Sequence, residues 1–182
     1  MEKLRREYVI DVKWVHFPLH PETPLEGLSL AELFAGRNLD PEAIHLNMKA
    51  VMDDEGLPYG RRTHTYNSRL AQEVAKWAET QPGGEGLHEQ LYRAYFVDGA
   101  NLSDPAVLLE LVEAVGLDRG VASVVIAERT FSKAIDEDWR LSQAYGVTGV
   151  PTYVADGRGV VGAQDYAVLE QLAQAGGAVR RA

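Results

Sequence analysis

The spacing of apolar side chains divides this chain into a short β-like opening, a long helical middle, and a hairpin followed by one helix. After a charged helical start, Val9 to Phe17 carries apolar residues at Ile10, Val12 and Val15, interrupted by Asp11 and Lys13, which predicts one strand. Pro18, Pro21 and Pro24 then end regular structure, since each removes a backbone donor.

Helix punctuation begins at Ser29, which stands at capping-box spacing from Glu32, and continues at Asp40-Pro41, where a cap precedes a proline in the first helical position. The helix from Asp40 closes at Gly56. Asn67 or Ser68 is expected to cap a helix with Leu70, Val74 and Trp77 on one face, stopped by Pro82-Gly83-Gly84. Leu87, Leu91 and Tyr95 mark a helix over 86–97, and Val107, Leu108, Leu111, Val112 and Val115 another that starts at Ser103 or Asp104 and ends at Gly116. A helical stretch broken once covers about 118–145. Residues 152–155 and 160–161 read as short strands joined by an Asp156-Gly157 hairpin turn, and 165–175 as a closing amphipathic helix ended by Gly176-Gly177. A strand near the start and a hairpin near the end share one sheet only if the helical middle is an insertion.

Composition narrows the function classes. Hydrophobic residues at 46% and charged residues at 25% suit a globular chain of 182 residues. A formal net charge of -9 and the scattering of basic pairs at Arg5-Arg6, Arg61-Arg62 and Arg180-Arg181 argue against nucleic acid as a partner. No apolar run is long enough to span a bilayer and the opening lacks a secretory core, so the expectation is cytoplasmic residence without a membrane partner. The chain contains no cysteine, which removes structural disulfides and Cys-ligated zinc.

Four segments carry a resemblance that covers essentially the whole chain: the strand leading to WVHFPLHPE, then HTYNSRLAQEVAKWAETQ, LYRAYFVDGANL, and GVTGVPTYVADGRGVVGAQDY. Together they resemble the DsbA-like thiol-disulfide oxidoreductases, most closely their FrnE-like branch. The resemblance implies an α/β, thioredoxin-like fold with a large inserted helical domain. Residues 1–28 and 145–182 would form the thioredoxin-like part, and 29–144 the insertion. It also implies that Pro151 is the family's cis proline and that Val150 before it contacts an extended peptide or thiol substrate through its backbone.

The same resemblance shows a departure. Family members carry a first strand and a Cys-x-x-C motif at the start of the first helix, where the helix end favours a thiolate. MEKLRREY looks like the tail of that helix, so the strand and motif would fall before Met1, and no catalytic residue is assigned here. The absent strand would be central, between the strand near Val12 and that near Tyr153. A shortened or mis-set start is the favoured explanation; the others are a strand supplied by another chain, and direct pairing of the remaining strands in a smaller sheet. An unpaired edge would favour a homodimer.

Relatives that use glutathione place its γ-glutamyl carboxylate at the loop before the last helix, where this chain has Gly162-Ala163-Gln164-Asp165. Gln164 is therefore a candidate contact for glutathione, although Asp165 would repel an anion and capping by Asp165 or Gln164 is the simpler account. Asn67 occupies a position that often faces the active site in such relatives, next to His64 and Tyr66, and capping is its competing role. His16 and His20 have helical metal-pair spacing, but Pro18 and Pro21 exclude the helix, so no metal site is expected. Trp77, Tyr92, Tyr95, Phe96 and Trp139 suit either a groove or the core. No cofactor is implied other than glutathione as a ligand. Three functions follow: a DsbA/FrnE-like oxidoreductase family protein inactive as given, a non-catalytic peptide- or glutathione-binding module, and a glutathione-dependent isomerase or transferase relative with its serine upstream.

Overall fold

The computed structural model describes residues 1–37 and 39–181. In chain order its elements are α1 (Glu2–Glu7), β1 (Tyr8–Val9), β2 (Leu28–Ser29), α2 (Leu30–Leu33), α3 (Pro41–Asp54), β3 (His64–Thr65), α4 (Arg69–Ala78), α5 (Gly86–Phe96), α6 (Pro105–Ala114), α7 (Arg119–Glu128), α8 (Ser132–Ala144), β4 (Thr152–Ala155), β5 (Arg158–Val161), α9 (Tyr166–Ala175) and β6 (Val179–Arg180). They divide into two compact units, Met1–Leu19 with Asp136–Ala182, and His20–Ile135.

In the helical unit, side-chain oxygens set the starts of α2, α3, α6 and α7. Glu32 N–H donates to Ser29 Oγ at 3.2 Å while Ser29 N–H donates to Glu32 Oε2 at 2.8 Å, the reciprocal capping box expected at α2. Asp40 and Asp104 each accept from the amide two residues on, at 2.9 and 2.8 Å, and each is followed by a proline whose missing amide hydrogen costs nothing there. The core lies among α4, α5, α6 and α7, where Val74, Leu87, Leu108, Val112 and Ala122 are fully buried. Burying one such Val or Leu contributes about 1.5–3 kcal/mol, so these four helices supply most of this unit's apolar stabilisation. The expected break between 118 and 145 falls after α7, where Arg129 takes a left-handed conformation with φ 53°.

The second unit is smaller. Leu4 and Tyr8 pack against Leu169 and Ala173 of α9, with Ile10, Tyr153 and Val160 around them. Asp156 (φ 49°) and Gly157 (φ 72°) form the two-residue turn between β4 and β5, with both central residues in the positive-φ region that the Asp-Gly pair tolerates. The sheet approaches the end of α9 closely, since a Cβ on Gly176 would lie 2.9 Å from the Ala155 Cβ.

Two expectations are corrected. The strand over Val9 to Phe17 shrinks to Tyr8–Val9, because no strand among the described residues runs beside 10–17 to receive its backbone groups. The early strand and the late hairpin also do not share a hydrogen-bonded sheet. β1 pairs with β6 (Tyr8↔Arg180, Val9↔Val179), and β4 pairs with β5, so direct pairing of the remaining strands in a smaller sheet does not occur. β6 and the β2–β3 pair (Leu28↔Thr65, Ser29↔His64) are additions that their two-residue lengths concealed.

Candidate functional site

The loop from Gly146 to Pro151 is closed at its start by backbone bonds from Gly146 N to Gln143 O and from Val147 N to Ser142 O. At its end Thr152 Oγ1 donates to Gly149 O at 2.7 Å, and Gly162 N donates to Pro151 O at 2.8 Å. The residues on either side of Val150 are thereby held, and the Val150–Pro151 peptide bond is cis. Val150 itself is 51% exposed, and its backbone N–H and C=O take no partner among the described residues. An open donor and acceptor on a fixed loop suit an extended chain that lacks its own pairing. Thr152 is a supporting residue that the sequence analysis does not name, although a hydroxyl directly after the Val-Pro pair is a signal for it, and Gly162, placed there in the candidate glutathione loop, braces Pro151 instead.

Gln164, in the same unit, turns its Nε2 onto Val161 O at 2.6 Å, bracing the end of β5. The expected capping of α9 by Asp165 is corrected. The Asp165 side chain makes no cap bond, and only its carbonyl accepts, from Val168 and Leu169. Nearby, Tyr166 OH donates to Glu7 Oε2 at 2.9 Å. Desolvation first, then this bond and the Glu7 charge, push the phenol up to about 12.

Asn67 lies in the helical unit, and its amide is committed locally. Oδ1 accepts from Arg69 N at 3.0 Å, and Nδ2 donates to Thr23 O at 2.7 Å and Pro21 O at 3.4 Å. It therefore serves the amide at the start of α4, for which Ser68 gives no side-chain bond, and ties down the proline-rich loop. His64 contacts Thr63 Oγ1 through Nδ1 at 2.9 Å and stacks on Tyr66. His16 donates its backbone amide to Asp138 Oδ2 at 3.1 Å. Trp77 is core, whereas the Tyr92 ring is mostly exposed. Among the described residues no cluster of three His, Cys, Asp or Glu could hold a metal ion, and no helix is long and apolar enough to cross a membrane.

A buried ion cluster at Glu73 has no counterpart in the sequence analysis. Its carboxylate is 1% exposed on the inner side of α4 and accepts from Arg69 Nε at 2.8 Å, Arg129 Nε at 2.6 Å and Arg129 Nη2 at 2.7 Å. Arg69 Nη2 also donates to Ser132 O at 2.7 Å, so the carboxylate clamps the turn that follows α7. This is a structural ion cluster rather than a reactive one, since its donors satisfy both carboxylate oxygens.

A hairpin and a helix start beside a proline loop, joined in sequence to a helical unit, define a thioredoxin-like α/β protein with a helical insert. The chain belongs to the DSBA-like thioredoxin domain family, whose model matches residues 1–174. It is similar to the crystal structure of a probable DsbA oxidoreductase, SCO1869, from Streptomyces coelicolor: 28% identity, TM-score 0.79, covering 87% of this chain and 72% of that one. The cytosolic disulfide reductase DsbM from Pseudomonas aeruginosa shares the fold at 23% identity and TM-score 0.52, over 74% of this chain and 70% of its own. No curated protein matches the chain.

Proposed function

We propose that these 182 residues form the substrate-holding frame of a DsbA-type thiol-disulfide oxidoreductase of the FrnE-like branch, and that they perform no thiol chemistry by themselves. The observation that carries this reading is Val150: half exposed, on a loop fixed at Gly149 and Pro151, with its own amide and carbonyl open. An extended peptide or thiol substrate would take the backbone bonds that Val150 offers, while Thr152 and Gly162 hold the loop against it.

Thiol-disulfide exchange proceeds when a thiolate attacks a disulfide sulfur to form a mixed disulfide, with the departing sulfur leaving as thiolate. With no cysteine in the sequence, this polypeptide supplies neither the attacking nor the resolving sulfur. Its share of such a reaction is to bind and orient. The pure 182-residue protein is therefore expected to give the rate of the no-enzyme control in reduction of a disulfide substrate by dithiothreitol or glutathione; turnover above that control would overturn the proposal.

A second reading rests on the start of α9. Because Asp165 does not cap it, the first amides of the helix are left to solvent or to an anionic group such as a glutathione carboxylate. Asp165's own charge opposes such a ligand, which ranks this reading below the peptide one.

A further inference from the structure

No side chain of α3 is buried, although the helix runs 14 residues from Pro41 to Asp54. Helices of that length are marginal in water unless a face packs against something. What fixes α3 lies at its start and along one side: the Asp40 cap with Pro41 behind it, the Glu42–Arg61 ion pair, and His45 stacked on Tyr59 with ring centroids 5.5 Å apart. Lys49 is taken up by Asp53 at 2.7 Å.

Another side of α3 carries an uncovered apolar stripe. Ile44, Met48 and Val51 fall at i, i+4 and i+7 and so share one face, with Met48 44% and Val51 55% exposed. The same spacing carried one step further each way reaches Asp40 and Glu55, which puts a carboxylate at each end of the stripe, about 22 Å apart by helical rise. Among the described residues Asp40, Asp54 and Glu55 have no cationic partner. At the first end a cleft is walled by Phe34, Leu39 and Pro41 together with Asp40. Apolar walls with one carboxylate suit the stem and charged tip of a lysine or arginine.

We infer that this face docks an amphipathic helix of another protein, one with apolar side chains at i, i+4 and i+7 and a Lys or Arg beyond each end of that stripe. An exposed apolar stripe rimmed by polar groups marks a contact surface, and the charges select its occupant. Because both ends are acidic, a basic-ended helix fits in either direction. A second copy of α3 does not: laid antiparallel it sets Asp40 against Glu55, and laid parallel it sets each carboxylate against its own copy. An anionic lipid surface meets the same repulsion. The inference concerns the helical unit alone and does not rest on the reading of Val150.

Fluorescence anisotropy of the purified protein with a labelled helical peptide tests this, the peptide carrying leucines at i, i+4 and i+7 and a lysine one step beyond each end. Saturable binding is expected, and the same peptide with glutamates at its two ends should bind about tenfold more weakly or not at all. Met48→Ser and Val51→Ser, at exposed positions, should keep the native circular dichroism spectrum and each weaken binding by about tenfold; if one misfolds, the other decides. No binding up to about 1 mM peptide, where even a millimolar Kd would register, overturns the inference. So does equal binding of the glutamate-ended peptide, or full binding by a folded variant. A dimer, or attachment to anionic phosphatidylserine vesicles, that Met48→Ser abolishes would assign the face to a different occupant and overturn it as well.

Discussion

Glu73→Ala is expected to destabilise the helical unit by about 3 kcal/mol, the low end of the range for removing one partner from a buried ion cluster. The low end applies because Arg69 and Arg129 keep 20% and 48% side-chain exposure and recover some water when the carboxylate goes. Arg129→Ala should cost less, about 2 kcal/mol, because Glu73 retains its Arg69 partner. Urea unfolding of the three proteins checks the order; equal stability of Glu73→Ala and the parent would contradict it.

The cluster also sets a pH dependence. Burial acts to raise the Glu73 carboxyl, but hydrogen bonds and charge from Arg129 and Arg69 together outweigh it, leaving the folded-state value below the ordinary 4.5. The unfolded chain then binds the proton more readily than the folded one. Stability from this group is complete above about 4.5 and is lost as pH falls through the lower folded value. The stability gap between the parent and Glu73→Gln should therefore be constant near neutrality and narrow in acid; a gap that widened in acid would refute this sign.

Tyr8→Ala should have a comparably large effect in the smaller unit, about 3–5 kcal/mol by analogy with large aromatic truncations. Tyr8 is 2% exposed and is the largest member of a buried cluster otherwise made of Leu4, Leu169 and Ala173. Its hydroxyl donates to Glu170 Oε1 at 2.8 Å and accepts from Gln174 Nε2 at 2.6 Å. Tyr8→Phe should cost only about 1 kcal/mol, the hydrogen-bond share. Hydrogen exchange of the α9 amides reads both variants: protection should collapse in Tyr8→Ala and largely survive in Tyr8→Phe. Unchanged protection in Tyr8→Ala would mean that α9 does not depend on this ring.

What was legible in the sequence was governed by local chemistry. Ser29, Asp40 and Asp104 act within three residues of themselves, so their caps could be read from spacing, and Asp156-Gly157 specifies its turn by backbone preference alone. Long-range partners could not be read this way. Residues 10–17 have strand-like side chains, yet a strand needs a neighbour, and none is provided among the described residues. Glu73 gives no local signal of its role, because its partner Arg129 lies 56 residues later and meets it only in the fold. At the loop, Val150 and Pro151 were found through family resemblance. Asn67 and Gln164 proved to have local bonding duties that the resemblance did not specify.

The central claim is that Val150 offers its backbone to an extended substrate. Titrating the isotope-labelled protein with a short extended peptide, while following amide resonances, addresses it most directly. Saturable shifts centred on Thr148 to Tyr153, absent from the helical core around Val112, are the predicted result; a loop whose resonances stay unmoved at every peptide concentration would contradict the account.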